Sequence, residues 1–517
     1  MFGTGGLRGI MGDEPGNING KIIQCATHGL AKVILSSDAP KSVGIAYDTR
    51  YNSAEFAQIT CDTFSAFGIE VYVFDRPIPT PTLSFAIRHL KLGWGVCITA
   101  SHNPQEYSGY KVYDEHGVQV TDYLATKIAD SINSVGVDEK VSPVRKELIK
   151  RFDDKVAETY LEQIVSYVQY PKSYTLNPNP YPLIYSALHG AGASAVPTVL
   201  ERLGFSPVCI QQNPDGAFGG LKTPNPEESV VYEKAVAKAT ESNAKLILAT
   251  DPDCDRVGVM VKTEDGFELL NGNQIGALLI DYLAQTKGVQ KGDTVITTIV
   301  SGLLGELVAK EHGLEFVRLL TGFKYIGEYI VNLPEDKHFF FGYEESYGYL
   351  TGDGAKDKDA VIASALIVKM AEYYDQKGMT LTDRLAELNE KHGYCLESLH
   401  SLNIPQDKQK EIMSRLRESI SNLDSVMPVD NVKSLDTVTR SEDYILGTHG
   451  LPKADVLKLY FNDCNGLPNI EAWVAIRPSG TEPKLKLYVV VRAGTYEDAK
   501  EILGMLKEMM FVYAEIK

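Results

Sequence analysis

Two patterns of apolar and polar positions recur along this chain: longer stretches with helical spacing, and short apolar runs that end abruptly in polar loops. Segment 22–35 carries the helical spacing and segment 42–47 reads as a strand ending in Asp48-Thr49-Arg50. A helix over 54–67 and a strand over 71–74 complete a βαβ unit. Gly95, Val96, Cys97 and Ile98 then lead into Thr99-Ala100-Ser101-His102-Asn103-Pro104. The pattern predicts a buried strand that delivers Ser101 into a loop at its carboxyl end, where open α/β sheets bind ligands. A polar, helix-rich stretch follows over 122–167.

The theme repeats beyond the linker 171–182 (PKSYTLNPNPYP), whose prolines and turn formers exclude regular structure. Strands over 183–188 and 245–250 belong to a second unit, and the latter delivers Asp251-Pro252-Asp253-Cys254-Asp255-Arg256. A helix over 274–284 leads to a third unit with strands at 294–297 and 338–341, followed by Gly342-Tyr343-Glu344-Glu345-Ser346-Tyr347-Gly348. Asp359 is placed to N-cap a long apolar helix over 360–374. The last unit differs. Strands over 472–476 and 485–491 flank one loop, Arg477-Pro478-Ser479-Gly480-Thr481-Glu482-Pro483, and Thr495-x-x-Asp498 opens a helix with Ala499, Ile502, Leu503 and Leu506 on one face.

With 517 residues the chain exceeds what one core supports. Its 44% hydrophobic and 23% charged content are those of a soluble globular protein, with no apolar stretch of membrane-spanning length. The first residues lack the basic and apolar regions of a signal peptide. Seven scattered cysteines without a Cys-x-x-Cys pair suit reduced thiols, so the expected location is cytoplasmic. A net charge of −17 argues against nucleic acid as a partner. An anionic small molecule remains compatible where cations converge.

The loops differ in what they offer. Three carboxylates within five residues, Asp251, Asp253 and Asp255, are costly to pack together without a cation, and their oxygens suit a hard ion such as Mg²⁺. Arg256 and Lys262 stand where an EF-hand requires Gly and Glu, which excludes that motif. An Asp-x-Asp after a strand also fits a phosphohydrolase with Asp251 as nucleophile. Arg477 with Ser479, Gly480 and Thr481 forms a set able to wrap a phosphate, and it is equally good turn chemistry. Glu344, Glu345 and Ser346 suit sugar hydroxyls, although two adjacent carboxylates are also ordinary on a solvated face. The glycine-rich segment 2–9 lets backbone approach a ligand with Arg8 as its charged reader. Lys111, Lys324 and Lys358 are candidate phosphate partners, and His102 and His189 follow strands. Ser101 lacks the Gly-x-Ser-x-Gly elbow of a serine hydrolase.

With FGTGGLRG, TASHNP, DPDCDR, EESYG and RPSGTEP in this order, the sequence resembles the α-D-phosphohexomutase family over essentially its whole length. The resemblance implies a heart-shaped α/β enzyme of four domains around a central cleft. Three would be mixed-sheet α/β domains (1–170, 171–272 and 273–396), and the fourth a C-terminal α+β domain (397–517). It implies an intramolecular phosphotransferase that interconverts sugar 1-phosphates and 6-phosphates. Ser101 would carry the phosphoryl group and join Asp251, Asp253 and Asp255 around Mg²⁺. Arg8 and Lys111 would flank the transferred group. Arg256, Lys324, Glu344, Ser346, Lys358, Arg477, Ser479, Gly480 and Thr481 would bind substrate, with His102 a further candidate. Glucose 1,6-bisphosphate is the implied activator and intermediate. The partners would be sugar phosphates, with neither nucleic acid nor membrane, and the protein a monomer or homodimer.

Two positions depart from the family pattern. Tyr343 stands where many members have Gly, and Gly348 where mannose-handling members have His. The second favours glucose and removes a candidate base, leaving Lys111 as first choice. FGTGGLRG and DPDCDR also lean towards the phosphopentomutase branch, so ribose and mannose substrates stand as alternatives. A phosphohydrolase or a catalytically silent sugar-phosphate-binding protein are the readings from other classes. An intact Ser101 and a complete Asp triad argue against the silent protein.

Overall fold

The computed structural model describes residues 6–136, 142–169, 181–421, 438–462, 470–478 and 484–513. Among these residues four sheets follow one another along the chain. The first runs in the order Leu7–Ile10, Tyr107–Tyr113, Trp94–Ile98, Ser42–Tyr47, Glu70–Val73, Ile149–Arg151, with its last four strands parallel and its first two antiparallel. Every residue of Ser42–Tyr47 and Trp94–Ile98 is buried. Covered on both faces, such strands read as continuous apolar runs. Ile149–Arg151 is a partly exposed edge strand inside the stretch expected to be helical, and its three residues give no alternation to detect. Helices Asp122–Asn133 and Asp154–Val168 flank it.

The second sheet runs Gly266–Leu270, Val257–Thr263, Leu246–Thr250, Leu183–Ser186, Val208–Ile210, and the third Glu315–Leu319, Asp293–Thr298, His338–Glu344, Gly348–Leu350. The fourth is antiparallel throughout, in the order Tyr394–Asn403, Lys484–Ala493, Glu471–Pro478, Leu457–Asn462, Val438–Asp443. Three mixed α/β units and a terminal α+β unit are thus observed, as the patterning predicts. The expected divisions at 272 and 396 each fall inside an element. Asn271 caps the helix Gly272–Lys287 through a reciprocal box with Gln274, and Tyr394–Asn403 is already the first strand of the fourth sheet.

Capping follows the sequence signals. Asp359 accepts the N–H groups of Val361 and Ile362, each at 3.0 Å, to start the helix Ala360–Asp375. Thr495 accepts the Asp498 N–H at 3.1 Å ahead of the helix Tyr496–Tyr513. One apolar cluster runs through the first three units and takes in Trp473, Ala475, Tyr488 and Val490 from one face of the fourth sheet. The other face, with Ala472, Val474 and Ile476, packs on Ile502 and Leu506. No helix among the described residues is long and apolar enough to cross a membrane. Of the linker 171–182 only Tyr181 and Pro182 lie within the described residues.

Candidate active site

Ser101 lies between the antiparallel strands Trp94–Ile98 and Tyr107–Tyr113, whose register pairs Cys97 with Lys111. The fold therefore returns Lys111 to the strand that delivers the serine. Ser101 adopts a left-handed backbone (φ 52°) that an L-residue holds only under constraint. Its N–H donates to Thr99 Oγ1 at 2.8 Å. The larger constraint is Arg50, a residue to which the sequence attached no role. Its guanidinium donates to the carbonyl oxygens of Ser101 (2.6 Å), Asn103 (2.5 Å), Pro104 (2.7 Å) and Tyr107 (3.2 Å). Asp48 Oδ2 sits 3.1 Å from Arg50 Nε, with both side chains fully buried, and Phe218 covers the guanidinium at 4.9 Å. The only available signal was a charged pair at the end of an apolar strand. Arg8 reaches the same loop and donates to Asn103 Oδ1 at 3.0 Å.

The strand Leu246–Thr250 delivers the carboxylates onto this serine. Ser101 Oγ donates to Asp251 Oδ2 at 2.8 Å, while Asp251 Oδ1 accepts the N–H groups of Asp255 (3.1 Å) and Arg256 (3.0 Å). Lys111 Nζ bridges Asp253 Oδ2 (2.6 Å) and Asp255 Oδ2 (2.9 Å), and Lys358 Nζ lies 3.2 Å from the latter. Thr80, also without a signal in the sequence, holds Asp253 twice, through Oγ1 on Oδ2 and through its N–H on the carbonyl, both at 2.9 Å. One oxygen from each of the three carboxylates falls within 4.8 Å of the others. Asp253 Oδ1 and Asp255 Oδ1 are buried with no hydrogen-bond partner among the described residues. Three converging carboxylates, two of whose buried oxygens take no hydrogen bond from the described residues, fit a hard divalent cation.

Electrostatics follow from this crowding. Burial pushes Asp251 well above the usual carboxylate range, and Asp253 and Asp255 push it further. Burial also acts on Asp255, but Lys111, Lys358 and Arg256 outweigh it and hold that carboxyl far below the ordinary range. Lys111 is buried too, yet Asp253 and Asp255 hold its ammonium well above the usual lysine range. So arranged, Lys111 is a cationic donor, and the expectation that it serves as base does not suit this geometry. His102 Nδ1 lies 3.2 Å from Ser101 Oγ, and burial, then Arg256, Arg8 and Lys486, drive its ring to the neutral form.

Glu344 ends the strand His338–Glu344 opposite Gly348, and Gly348 also bridges to Arg256, which ties this loop to the carboxylates. Glu344 Oε1 accepts the Gly322 N–H at 2.8 Å; burial and then Glu345 raise its pKa. Arg256 donates to Glu227 Oε1 at 2.9 Å. Ser346 lines a cavity of about 170 Å³ shared with Glu227, Asn273, Glu397 and Tyr488. Lys324 pairs with Asp122 of the first unit at 2.7 Å, and no bond to the carboxylate triad is observed for it among the described residues. His189 faces the Asn213 carbonyl at 2.8 Å. Arg477 is the last residue but one of the strand Glu471–Pro478, in register with Lys486. Alternation puts both on the sheet face of Trp473, Ala475 and Tyr488, turned towards the other units. Lys486 is a cation the sequence reading missed. Ser479, Gly480 and Thr481 lie outside the described residues.

Three family models match in chain order, described as phosphoglucomutase/phosphomannomutase alpha/beta/alpha domain I (residues 1–137), domain II (158–266) and domain III (271–392). A phosphoglucomutase of Staphylococcus haemolyticus is 36% identical over 97% of this chain and 92% of that protein. Another from Staphylococcus aureus is 34% identical over 98% and 92%. Among solved structures, a phosphoglucomutase/phosphomannomutase family protein from Burkholderia thailandensis superposes with a TM-score of 0.73 at 17% identity, covering 99% of this chain and 97% of that one. The open form of the Paramecium phosphoglucomutase pp63/parafusin gives 0.73 at 15% identity, covering 100% and 94%. Relatives of one activity along nearly the full length, on a four-unit fold with this site, make the chain an isomerase of the phosphosugar mutase class. It belongs to the phosphoglucomutase/phosphomannomutase family, the α-D-phosphohexomutases.

Proposed function

We propose that this enzyme interconverts α-D-glucose 1-phosphate and glucose 6-phosphate through phosphorylated Ser101 and a glucose 1,6-bisphosphate intermediate. The observation that carries the reading is the 2.8 Å bond from Ser101 Oγ to Asp251, beside the Lys111 bridge over Asp253 and Asp255. A phosphoserine here adds nearly two negative charges. Arg8, Lys111, Lys358 and Arg256, which hold the serine loop and the carboxylates, would supply counter-charges, and the charge of Lys486 acts on the adjacent His102. A Mg²⁺ held by Asp251, Asp253, Asp255 and the serine oxygen would neutralise charge on the transferring group. Transfer then demands mainly alignment from the protein. The phosphoryl group passes from Ser101 Oγ to a sugar hydroxyl, and the reoriented intermediate returns its other phosphate to Ser101. On that return Asp251 Oδ2 and the neutral His102 ring are the acceptors nearest the serine proton. Glu344 and Ser346 would grip the sugar hydroxyls, and Arg477 with Ser479, Gly480 and Thr481 the distant phosphate.

Glucose over mannose rests on position 348. A Cβ on Gly348 would fall 2.3 Å from Cδ of Lys358, so the lysine stem occupies the space a histidine needs. The test is incubation with glucose 1,6-bisphosphate followed by mass mapping. One phosphoryl group on Ser101 is expected, and Ser101→Ala should retain its fold while losing nearly all turnover. Label on Asp251 instead would replace this reading with a phosphohydrolase. Initial rates on glucose, mannose and ribose 1-phosphates should rank glucose first.

A further inference from the structure

Loop 298–302, which follows the strand Asp293–Thr298, is gripped from two directions. On one side Thr298 Oγ1 and Ser301 Oγ donate to Glu345 Oε2 at 3.0 and 3.3 Å, so the loop sets the side chain between Glu344 and Ser346. On the other side stands Lys458, a buried lysine in the strand Leu457–Asn462 of the last unit. Its ammonium has no carboxylate partner among the described residues. It donates to the carbonyl of Ile299 at 2.7 Å and lies 3.8 Å over the Trp473 ring. Glu397 presses on the same loop, since a Cβ on Gly302 would fall 2.1 Å from its Oε1.

The loop itself is stiff. Arg318 donates to the carbonyl oxygens of Thr298 (3.2 Å), Ser301 (2.8 Å) and Gly302 (3.0 Å), and the Gly302 N–H donates to Asn273 at 2.9 Å. A segment pinned along its length passes on a shift at Ile299 instead of absorbing it, because close-packed interiors deform little. Burying an ammonium against one carbonyl is costly for stability alone. Methionine would fill the same box over Trp473 without that cost.

We infer that Lys458 is a positioning residue: through loop 298–302 it couples the seating of the last unit to the orientation of the 344–346 loop. The inference rests on the reading that Glu344 and Ser346 face the sugar. When the last unit is seated, the Lys458 bond holds Ile299, the loop holds Glu345, and its neighbours face the cleft. Grip on the distant phosphate and grip on the sugar ring then become one event.

The experiment is a double-mutant cycle with hydrogen exchange on the full-length protein. Lys458→Met and Glu345→Gln should each lower kcat/KM for glucose 1-phosphate, about tenfold for the loss of one charged hydrogen bond. The double variant should lose no more than the larger single loss, since both cut the same linkage. Losses that multiply would overturn the inference. Exchange needs no substrate and separates failure of the inference from failure of the sugar reading. Lys458→Met should speed exchange at 344–347, and Glu345→Gln, by reciprocity, at the strand Leu457–Asn462. Faster exchange confined to each variant's own unit would sink the coupling even in an active enzyme. Should Lys458→Met not fold, the Glu345→Gln arm decides alone.

Discussion

Arg50 shows what a single side chain contributes to this site. Four backbone carbonyls of one loop converge on its planar fork, which a lysine ammonium cannot reproduce. Those bonds hold Ser101 at φ 52°, where Oγ meets Asp251. Arg50→Lys should therefore lower the rate of Ser101 phosphorylation by glucose 1,6-bisphosphate at least a hundredfold, with little change in KM. Quench-flow labelling checks this, and an unchanged rate would make Arg50 a mere core residue. The carboxylates invite a second test. Asp253→Asn removes one charge from the triad and should raise the Mg²⁺ concentration for half-maximal activity by tenfold or more, read by titration into chelator-treated enzyme. Full activity in excess chelator would refute the metal assignment. Motif residues such as Ser101 and the three aspartates were legible because their loops have a fixed spelling. Arg50, Thr80 and Lys486 were not, because each acts through a fold that brings distant segments together, and a lone Arg, Thr or Lys carries no local signal.

At the scale of elements, the apolar runs were legible wherever a strand is covered on both faces or a helix carries a cap. Ser42–Tyr47, Leu246–Thr250 and the helix Ala360–Asp375 were found for those reasons. The strands Tyr394–Asn403 and Val438–Asp443 were missed because each buries only one residue fully and leaves the rest half-buried or exposed, which leaves little apolar signal. Contacts between elements are harder still to read. Asp281 on the helix Gly272–Lys287 accepts bonds from Tyr374 (2.6 Å), Arg384 (2.8 and 3.0 Å) and His312 (3.0 Å), and so ties three neighbouring segments. Burial would raise its pKa, but these donors hold it down at about 2. A carboxyl depressed on folding adds stability above its unfolded value near 4, and that stability is lost as pH falls from about 4 through 2. Asp281→Asn should thus cost about 2 kcal/mol at pH 7 and flatten the acid limb in this window. Thermal melts at pH 7 and pH 3 would show it, and an equal loss at both pH values would refute the assignment.

Across the whole molecule, the four units are not held alike. The first and third are joined by buried or half-buried polar bridges, with Tyr113 on Asp357 and Tyr160 on Asp359 both at 2.9 Å, and Lys324 on Asp122 at 2.7 Å. The last unit keeps a separate core on one sheet face and lends only its other face to the shared cluster. Arg477 and Lys486 stand on that shared face. A mutase must hold one phosphate while the other reacts, then accept its intermediate turned end for end. A cation pair on a separately built unit suits the distant grip. Binding energy there aligns the reacting end, so its loss should lower kcat/KM and not merely raise KM. Arg477→Ala should cut kcat/KM in both directions by about tenfold to a hundredfold, the equivalent of about 1.5–3 kcal/mol for a charged hydrogen bond. It should also release more labelled glucose 1,6-bisphosphate per turnover. Arg477→Lys should recover only part, since it keeps the charge but loses the fork. Unaltered rates with no added escape of bisphosphate would mean that Arg477 is merely part of a strand, and that the cleft grips its substrate without the last unit.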